Sequence, residues 1–262
     1  MPELIEVEQY RQAAEAAVGR RLAGPVQVPP GYVRGGPAEE LAAVLPGAVV
    51  RAARRHGKVL LLDLDTAGEA PVLGLRFGMT GRLVVDGVAP VSELVYGSSA
   101  DRPEWDRLVL PFDGGGVLRI NDPRRLGWVE LDPDLSGLGP DAATVSAAEV
   151  RVALDGAATP LKARLLDQTR LAGIGNLIAD EVLWRARLSP LRLAGGLTPA
   201  ESAALARSIR DSIRRLSEAG GSHRGALQPY RARGGPCPRC GAALLRSRIG
   251  GRATLWCPAE QH

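Results

Sequence analysis

Cysteine is scarce: the 262 residues contain three, all between positions 237 and 257. So few thiols exclude a disulfide framework, and their clustering leaves a metal site as the chemistry they support. Long apolar runs are missing too. No stretch approaches the ~18 uninterrupted apolar residues of a membrane-spanning helix, and the N-terminal sequence has neither the basic nor the apolar region of an export signal. The expectation is a cytoplasmic protein with no membrane partner. Internal repeats and low-complexity tracts are also lacking. Charge of one sign is nearly balanced, with 33 Lys+Arg against 29 Asp+Glu for a net +4. The sequence pI of 9.3 still leans toward an anionic partner.

What is present is a 45% apolar chain long enough for one large or two modest domains, and two are expected. From Glu6 to Val18, Val7, Tyr10, Ala14 and Ala17 recur at helical spacing and stop at Gly19. VLLLDLD, VLGLRF, RLVLPF, VLRIN and GWVEL then read as short strands with tight connections, which predicts an antiparallel sandwich or barrel through residue 131. The Asp-, Pro-, Gly- and Ser-rich segment 132–145 reads as a linker. Beyond it the pattern turns helical. Ser146–Glu149 and Thr198–Glu201 are capping-box patterns, the second with Pro199 at the first helical position. That second signal opens a long helix with Leu205, Ile209, Ile213 and Leu216 along one stripe, ended by Gly220 and Gly221. The expected class is α+β: a β-sandwich with flanking helices over 1–131, a helical domain over 146–220, and a basic, cysteine-containing unit over 221–262.

Three segments carry chemistry. In QTRLAGIGNLIADEVLW, a helix over Leu161 to Gln168 meets a turn in which Gly173 and Gly175 can take positive φ. Asn176 then caps a second helix running through Ile178, Val182 and Ala186. The N–H groups at such a helix start form a natural phosphate seat; the competing reading is a purely structural helix hairpin. Near the C-terminus, Cys237 and Cys240 form a C-x2-C knuckle, a β-hairpin turning at Gly250–Gly251 follows, and Cys257 supplies a third thiolate. This is a zinc-ribbon pattern. Position 260, where a second knuckle would end, is Glu260, so His262 is expected as fourth ligand ahead of the carboxylate. Arg252, beside the hairpin turn, is placed for a phosphate. At the other end, MPELIEVE puts Pro2 after a removable methionine. An α-amine with a pKa of roughly 7.7–8.0 is partly unprotonated at neutral pH and can attack a carbon electrophile, with Glu3 beside it for proton transfer. The competing reading is a helix start with acids complementing its dipole.

MPELIEVE, HGKVLLLDL with Lys58, RFGMTGRL with Met79, NDPRRLG with Arg124, the glycine turn with Asn176, and the ribbon with Arg252 occur in this order. Together they span nearly the whole chain and resemble the formamidopyrimidine-DNA glycosylase and endonuclease VIII family of repair enzymes. The resemblance implies a β-sandwich joined to a helix-two-turn-helix domain with a zinc finger, holding DNA between them. It also implies a bifunctional DNA glycosylase/AP lyase for oxidised bases, monomeric and nucleoid-associated, with structural Zn2+.

By the same resemblance Pro2 is the nucleophile at C1′, Glu3 the proton-transfer group, Glu6 a supporting acid, and Lys58 a phosphate contact near the lesion. Met79, Arg124 and Leu126 fill the gap left by the extruded base, with Leu126 standing where phenylalanine is usual. Asn176 and Arg252 flank the lesion phosphates, and Lys162 lies near the base. Cys237, Cys240, Cys257 and His262 hold the metal. Ile5 and Leu177 depart from the family's proline and tyrosine. The connection GGSHRGALQPYRARGGP is short for a loop that closes over 8-oxoguanine, which implies a preference for further-oxidised purines or oxidised pyrimidines. A catalytically silent protein binding damaged or distorted DNA is the alternative, but it would have no use for Pro2, Glu3 and Lys58 together.

Overall fold

The computed structural model describes all residues except Met1, Ser92, Glu93, Tyr96, Ser99 and Arg233. The chain divides into two compact units, one formed by Met1–Pro2 and Glu6–Leu135, the other by Glu3–Ile5 and Ser136–His262.

In the first unit, α1 (Leu4–Ala14, its first turn belonging to the second unit) is followed by β1 (Val33–Arg34), α2 (Ala38–Val44), β2 (Val49–His56), β3 (Val59–Asp65), β4 (Val72–Arg76), β5 (Arg82–Val85), β6 (Asp106–Pro111), β7 (Val117–Asn121) and β8 (Trp128–Leu131). A five-stranded sheet runs β1-β8-β4-β3-β2 and a three-stranded sheet runs β5-β7-β6. All pairings are antiparallel except β1 with β8. Leu60, Leu62, Leu73 and Leu75 of one sheet share a core with Leu83, Leu110, Leu118 and Ile120 of the other, which makes a sandwich. Val7, Tyr10 and Ala14 bury the helical stripe of α1 in the same core.

The expected strands are present. Four elements were not foreseen, the shortest being β1 with two residues. β2 carries Arg51, Arg54, Arg55 and His56 and so hides its alternation, but Arg51 and Arg54 pair with Asp65 and Asp63 on β3 at the sheet surface. β5 is only four residues long, and α2 only seven.

In the second unit, α3 (Ala147–Leu154), α4 (Leu161–Leu166), α5 (Asn176–Ala186) and α6 (Pro199–Glu218) precede a hairpin of β9 (Leu245–Ile249) and β10 (Arg252–Trp256). Both predicted capping boxes form. The stripe Leu205, Ile209, Ile213 and Leu216 of α6 joins Ile178, Val182 and Leu183 of α5 in one core, which also takes Leu4 and Ile5. Ile5 is thus a core residue of the second unit, 1% exposed. Gly250 and Gly251 both take positive φ at the hairpin turn, as a two-residue turn of this kind requires. No helix among the described residues is long and apolar enough to cross a membrane.

Candidate active site and nucleic-acid-binding residues

In the first unit, Pro2 is buried ahead of α1. Lys58 stands half-buried at the tip of the β2–β3 hairpin, where Gly57 takes φ +55° and His56 faces Val59. Glu6 is 1% exposed. Burial, reinforced by the Glu6 charge, raises the pKa of the Tyr10 hydroxyl, which donates to the Gly81 carbonyl at 3.1 Å.

Gly81 closes the turn carrying Met79, and this turn lies against the one carrying Arg124 and Leu126. A Cβ at Gly78, itself at φ +57°, would fall 2.3 Å from the Leu126 carbonyl, so only glycine allows the approach. The two turns are joined by Asp122, which is fully buried. Its Oδ1 accepts from Thr80 Oγ1 at 2.6 Å and Arg124 N at 3.3 Å; its Oδ2 accepts from Tyr32 Oη at 3.1 Å and from Leu126 N and Gly127 N at 2.9 Å. Arg125 is held at φ +53°, and Arg124 and Leu126 stand exposed beside a half-buried Met79. The structure therefore brings Met79, Arg124 and Leu126 together on adjoining turns. Asp122, which organises them, is not apparent from the sequence; its signal is an acid ahead of proline inside NDPRRLG.

In the second unit, the turn between α4 and α5 is held by Gln168, whose amide donates to Leu166 O at 2.8 Å and Ile174 O at 2.9 Å and accepts from Gly173 N at 3.0 Å. Gly173 takes φ +109°, and its carbonyl accepts from Leu4 N at 3.1 Å. Gly175 does not need positive φ, since it lies at φ −114°. Its requirement is space: a Cβ there would be 2.2 Å from Glu3 Cδ.

That crowding explains the start of α5. The N-cap is Gly175, and Asn176, expected to cap, is the first helical residue. The Glu3 carboxylate takes the cap's role, Oε1 accepting from Leu177 N at 2.8 Å and Oε2 from Ile178 N at 3.1 Å. The helix start thus seats the protein's own carboxylate rather than a phosphate, and these donors stabilise its negative charge.

Asn176 turns instead toward β10. Its Nδ2 donates to Ala253 O at 3.0 Å, and its buried Oδ1 has no hydrogen-bond partner among the described residues. Arg252, next to Ala253, is exposed at the hairpin turn. Lys162, expected to reach a base, is fully buried. Its Nζ pairs with Asp180 Oδ1 at 2.6 Å and donates to Thr254 Oγ1 at 2.8 Å and Ala253 O at 3.2 Å. Burial lowers its pKa, opposed by Asp180 and, at longer range, by Glu3. Three oxygens engage the ammonium, which packs Lys162 under β10.

The Sγ atoms of Cys237, Cys240 and Cys257 lie within 4.8 Å of one another, Cys240 and Cys257 at 3.5 Å. A tetrahedral site with Zn–S bonds of about 2.3 Å spaces its sulfurs by roughly 3.8 Å, so the three can hold a metal ion. His262 is not in the group found among the described residues. Its main chain pairs with Arg187 and Ser189, and its side chain faces solvent. Glu260 is occupied as well, at 2.8 Å from Arg239. Trp184 Nε1 donates to Cys237 Sγ at 3.4 Å.

A two-sheet sandwich, a helix–glycine turn–helix seating Glu3, and a three-thiolate ribbon define a DNA glycosylase of the helix-two-turn-helix class. Residues 1–129 match the formamidopyrimidine-DNA glycosylase N-terminal domain, and 137–225 match the formamidopyrimidine-DNA glycosylase H2TH domain. The formamidopyrimidine-DNA glycosylase of Cereibacter sphaeroides is 39% identical over 232 residues, covering 85% of this chain and 80% of the relative. That of Afipia carboxidovorans is 35% identical over 297 aligned positions, covering both chains in full. Among solved structures, Lactococcus lactis Fpg (MutM) with DNA containing N7-benzyl-Fapy-dG superposes with TM-score 0.83 at 28% identity over all of both chains. The Thermus thermophilus protein gives 0.79 at 32%, covering 99% of this chain and 98% of that one. The chain belongs to the formamidopyrimidine-DNA glycosylase family.

Proposed function

We propose that the chain is a bifunctional DNA glycosylase/AP lyase that excises oxidised bases from duplex DNA. Once Met1 is removed, the Pro2 nitrogen attacks C1′ of the extruded nucleotide. The N–C1′ bond forms as the glycosidic bond breaks, the base leaves with its electron pair and takes up a proton, and the Pro2 nitrogen gives up its own proton to Glu3. The C1′–O4′ bond then opens, O4′ gains a proton, and a positively charged Schiff base remains. Loss of a C2′ proton expels the 3′ phosphate, loss of a C4′ proton expels the 5′ phosphate, and hydrolysis frees Pro2. Glu3 serves as the proton carrier. Met79, Arg124 and Leu126 occupy the gap in the stack, and Lys58, Asn176 and Arg252 contact phosphates. Cys237, Cys240 and Cys257 hold a structural Zn2+, which fixes the ribbon that carries Arg252.

The observation that carries this reading is the seating of Glu3. Two backbone N–H groups and a glycine with no room for a side chain hold a carboxylate immediately after Pro2. A helix could begin at residue 4 without this arrangement, and a protein that only bound DNA would not need it. Lactococcus lactis Fpg has solved structures with abasic-site DNA and with DNA containing an oxidised pyrimidine, and such DNA suits the same chemistry.

The test is borohydride reduction on a duplex carrying an abasic site, with the protein first shown to lack Met1 and the adduct mapped by mass spectrometry. A covalent adduct on Pro2 is expected. No adduct, or one on a lysine alone, would overturn the mechanism.

A further inference from the structure

Beneath β10 lies a buried ionic cluster that the reaction does not use. Asp180, on α5, is 2% exposed. Its Oδ1 pairs with Lys162 Nζ at 2.6 Å, and its Oδ2 accepts from Leu255 N at 3.1 Å and from Arg231 Nη2. Arg231 comes from the short connection between α6 and the ribbon, and its Nη1 reaches Ala253 O at 3.4 Å. Ala253 O is therefore the meeting point of three donors, from Lys162, Asn176 and Arg231. The next residue toward the turn is Arg252.

We propose that Asp180 and Arg231 are positioning residues that lock the Ala253 carbonyl onto α5, so that Arg252 and Asn176 grip phosphates as one rigid unit. The inference rests on the proposed phosphate role of Arg252 and adds what makes that role possible. A ribbon hairpin has little core of its own, and Arg252 stands exposed at its turn, where an unanchored strand would have freedom to swing. One carbonyl held from three sides removes that freedom one residue away. Asn176 is tied to the same atom through one N–H of its amide, which leaves the other for a phosphate oxygen. A buried ion pair is a weak way to gain stability, because desolvation offsets attraction, but it fixes geometry well. The same cluster fastens the connection after α6 to α5 through Arg231 and Asp180.

The experiment is the salt dependence of binding by the zinc-loaded protein to a duplex with a non-cleavable tetrahydrofuran abasic site. Wild type, Arg252→Ala, Arg231→Gln and the double variant are compared. Losing one phosphate contact lowers the slope of log K against log [KCl] by about 0.9. Arg252→Ala is expected to show that loss. Arg231→Gln, with Arg252 intact, is expected to lose most of it, and the double variant no more than Arg252→Ala alone. Melting temperature and zinc content are measured beside each. Arg231→Gln leaves the Lys162–Asp180 pair in place; should it melt below the assay temperature, Arg231→Lys is read in its place with the same expected loss. A full slope in the Arg231 variant, or additive losses of about 1.8 in the double variant, would overturn the positioning role, the latter because Arg231 would itself be a phosphate contact. An unchanged slope in Arg252→Ala would instead remove the phosphate reading on which the inference stands.

Discussion

Gly175 shows how much a single residue can decide. The sequence suggests a residue chosen for positive φ, and the structure gives it an ordinary extended φ with no space for a methyl group beside Glu3. Gly175→Ala should therefore move a carboxylate rather than strain a turn. Displacement of a reacting group by about 1 Å costs on the order of 100-fold in rate. The expected outcome is a roughly 100-fold slower single-turnover base excision from a protein that still folds, at a stability cost of about 1–3 kcal/mol. Excision at the wild-type rate would mean that the seat of Glu3 plays no part in the chemistry. Ile5 has a role at the same scale: it packs in the core of the second unit and is 1% exposed.

Among the elements, those with explicit end signals were legible from the sequence and those without were not. Thr198 and Glu201 announce α6, and the capping box forms with Thr198 N donating to Glu201 Oε2 at 2.8 Å and Glu201 N donating to Thr198 Oγ1 at 3.3 Å. Asn176 announces a cap that Glu3, from a distant part of the sequence, supplies instead; no local pattern encodes such a partner. Arg192, also outside the box, donates to Glu201 and, ahead of the capping contacts, depresses its pKa from 4.5 to about 2. A carboxylate depressed on folding contributes stability that is complete above pH 4.5 and lost as the pH falls toward 2. The Glu201 side chain is 32% exposed, so solvent screens the ion pair in part and the capping contacts supply most of the stability. Glu201→Ala should lower the unfolding free energy by about 1 kcal/mol at pH 7, measured in urea. The gap between variant and wild type should narrow as the pH falls from 4.5 toward 2, and a gap independent of pH would contradict this assignment.

The ribbon follows the same logic with its three cysteines, which are close enough to hold a metal ion. The thiolate spacing was readable because C-x2-C followed by a hairpin fixes three corners locally. The fourth corner was not, because the chain end is directed by main-chain bonds from His262 to Arg187 and Ser189. Cys240→Ala should lose the metal, whereas His262→Ala should retain it, as measured by metal analysis of the purified proteins. Chelation should red-shift the emission of Trp184, which is 7% exposed and donates to Cys237. Loss of zinc from the His262 variant would return the imidazole to the ligand set.

For the whole molecule, alternation and composition disclosed a β-rich half and a helical half, but not β2, whose Arg51 and Arg54 face partners on β3, nor the buried Asp122 and Asp180 that hold surface turns in place. Buried carboxylates answer to donors scattered along the sequence, so periodicity cannot find them. Chain length carries a functional consequence of its own. The connection from Gly220 to Pro236 holds two short 3-10 turns, Ser222–Arg224 and Gln228–Tyr230, and then Arg231 is fastened to Asp180. A loop that folds over an extruded base needs slack, and a segment this short and anchored at Arg231 supplies little. Discrimination by hydrogen bonds to 8-oxoguanine would then be weak, since only a site built to pair with a group rejects its absence strongly. The expected result is excision of a hydantoin and of an oxidised pyrimidine at kcat/KM values at least about tenfold above that for 8-oxoguanine in matched duplexes. A preference for 8-oxoguanine would show that recognition of that base here does not depend on a closing loop.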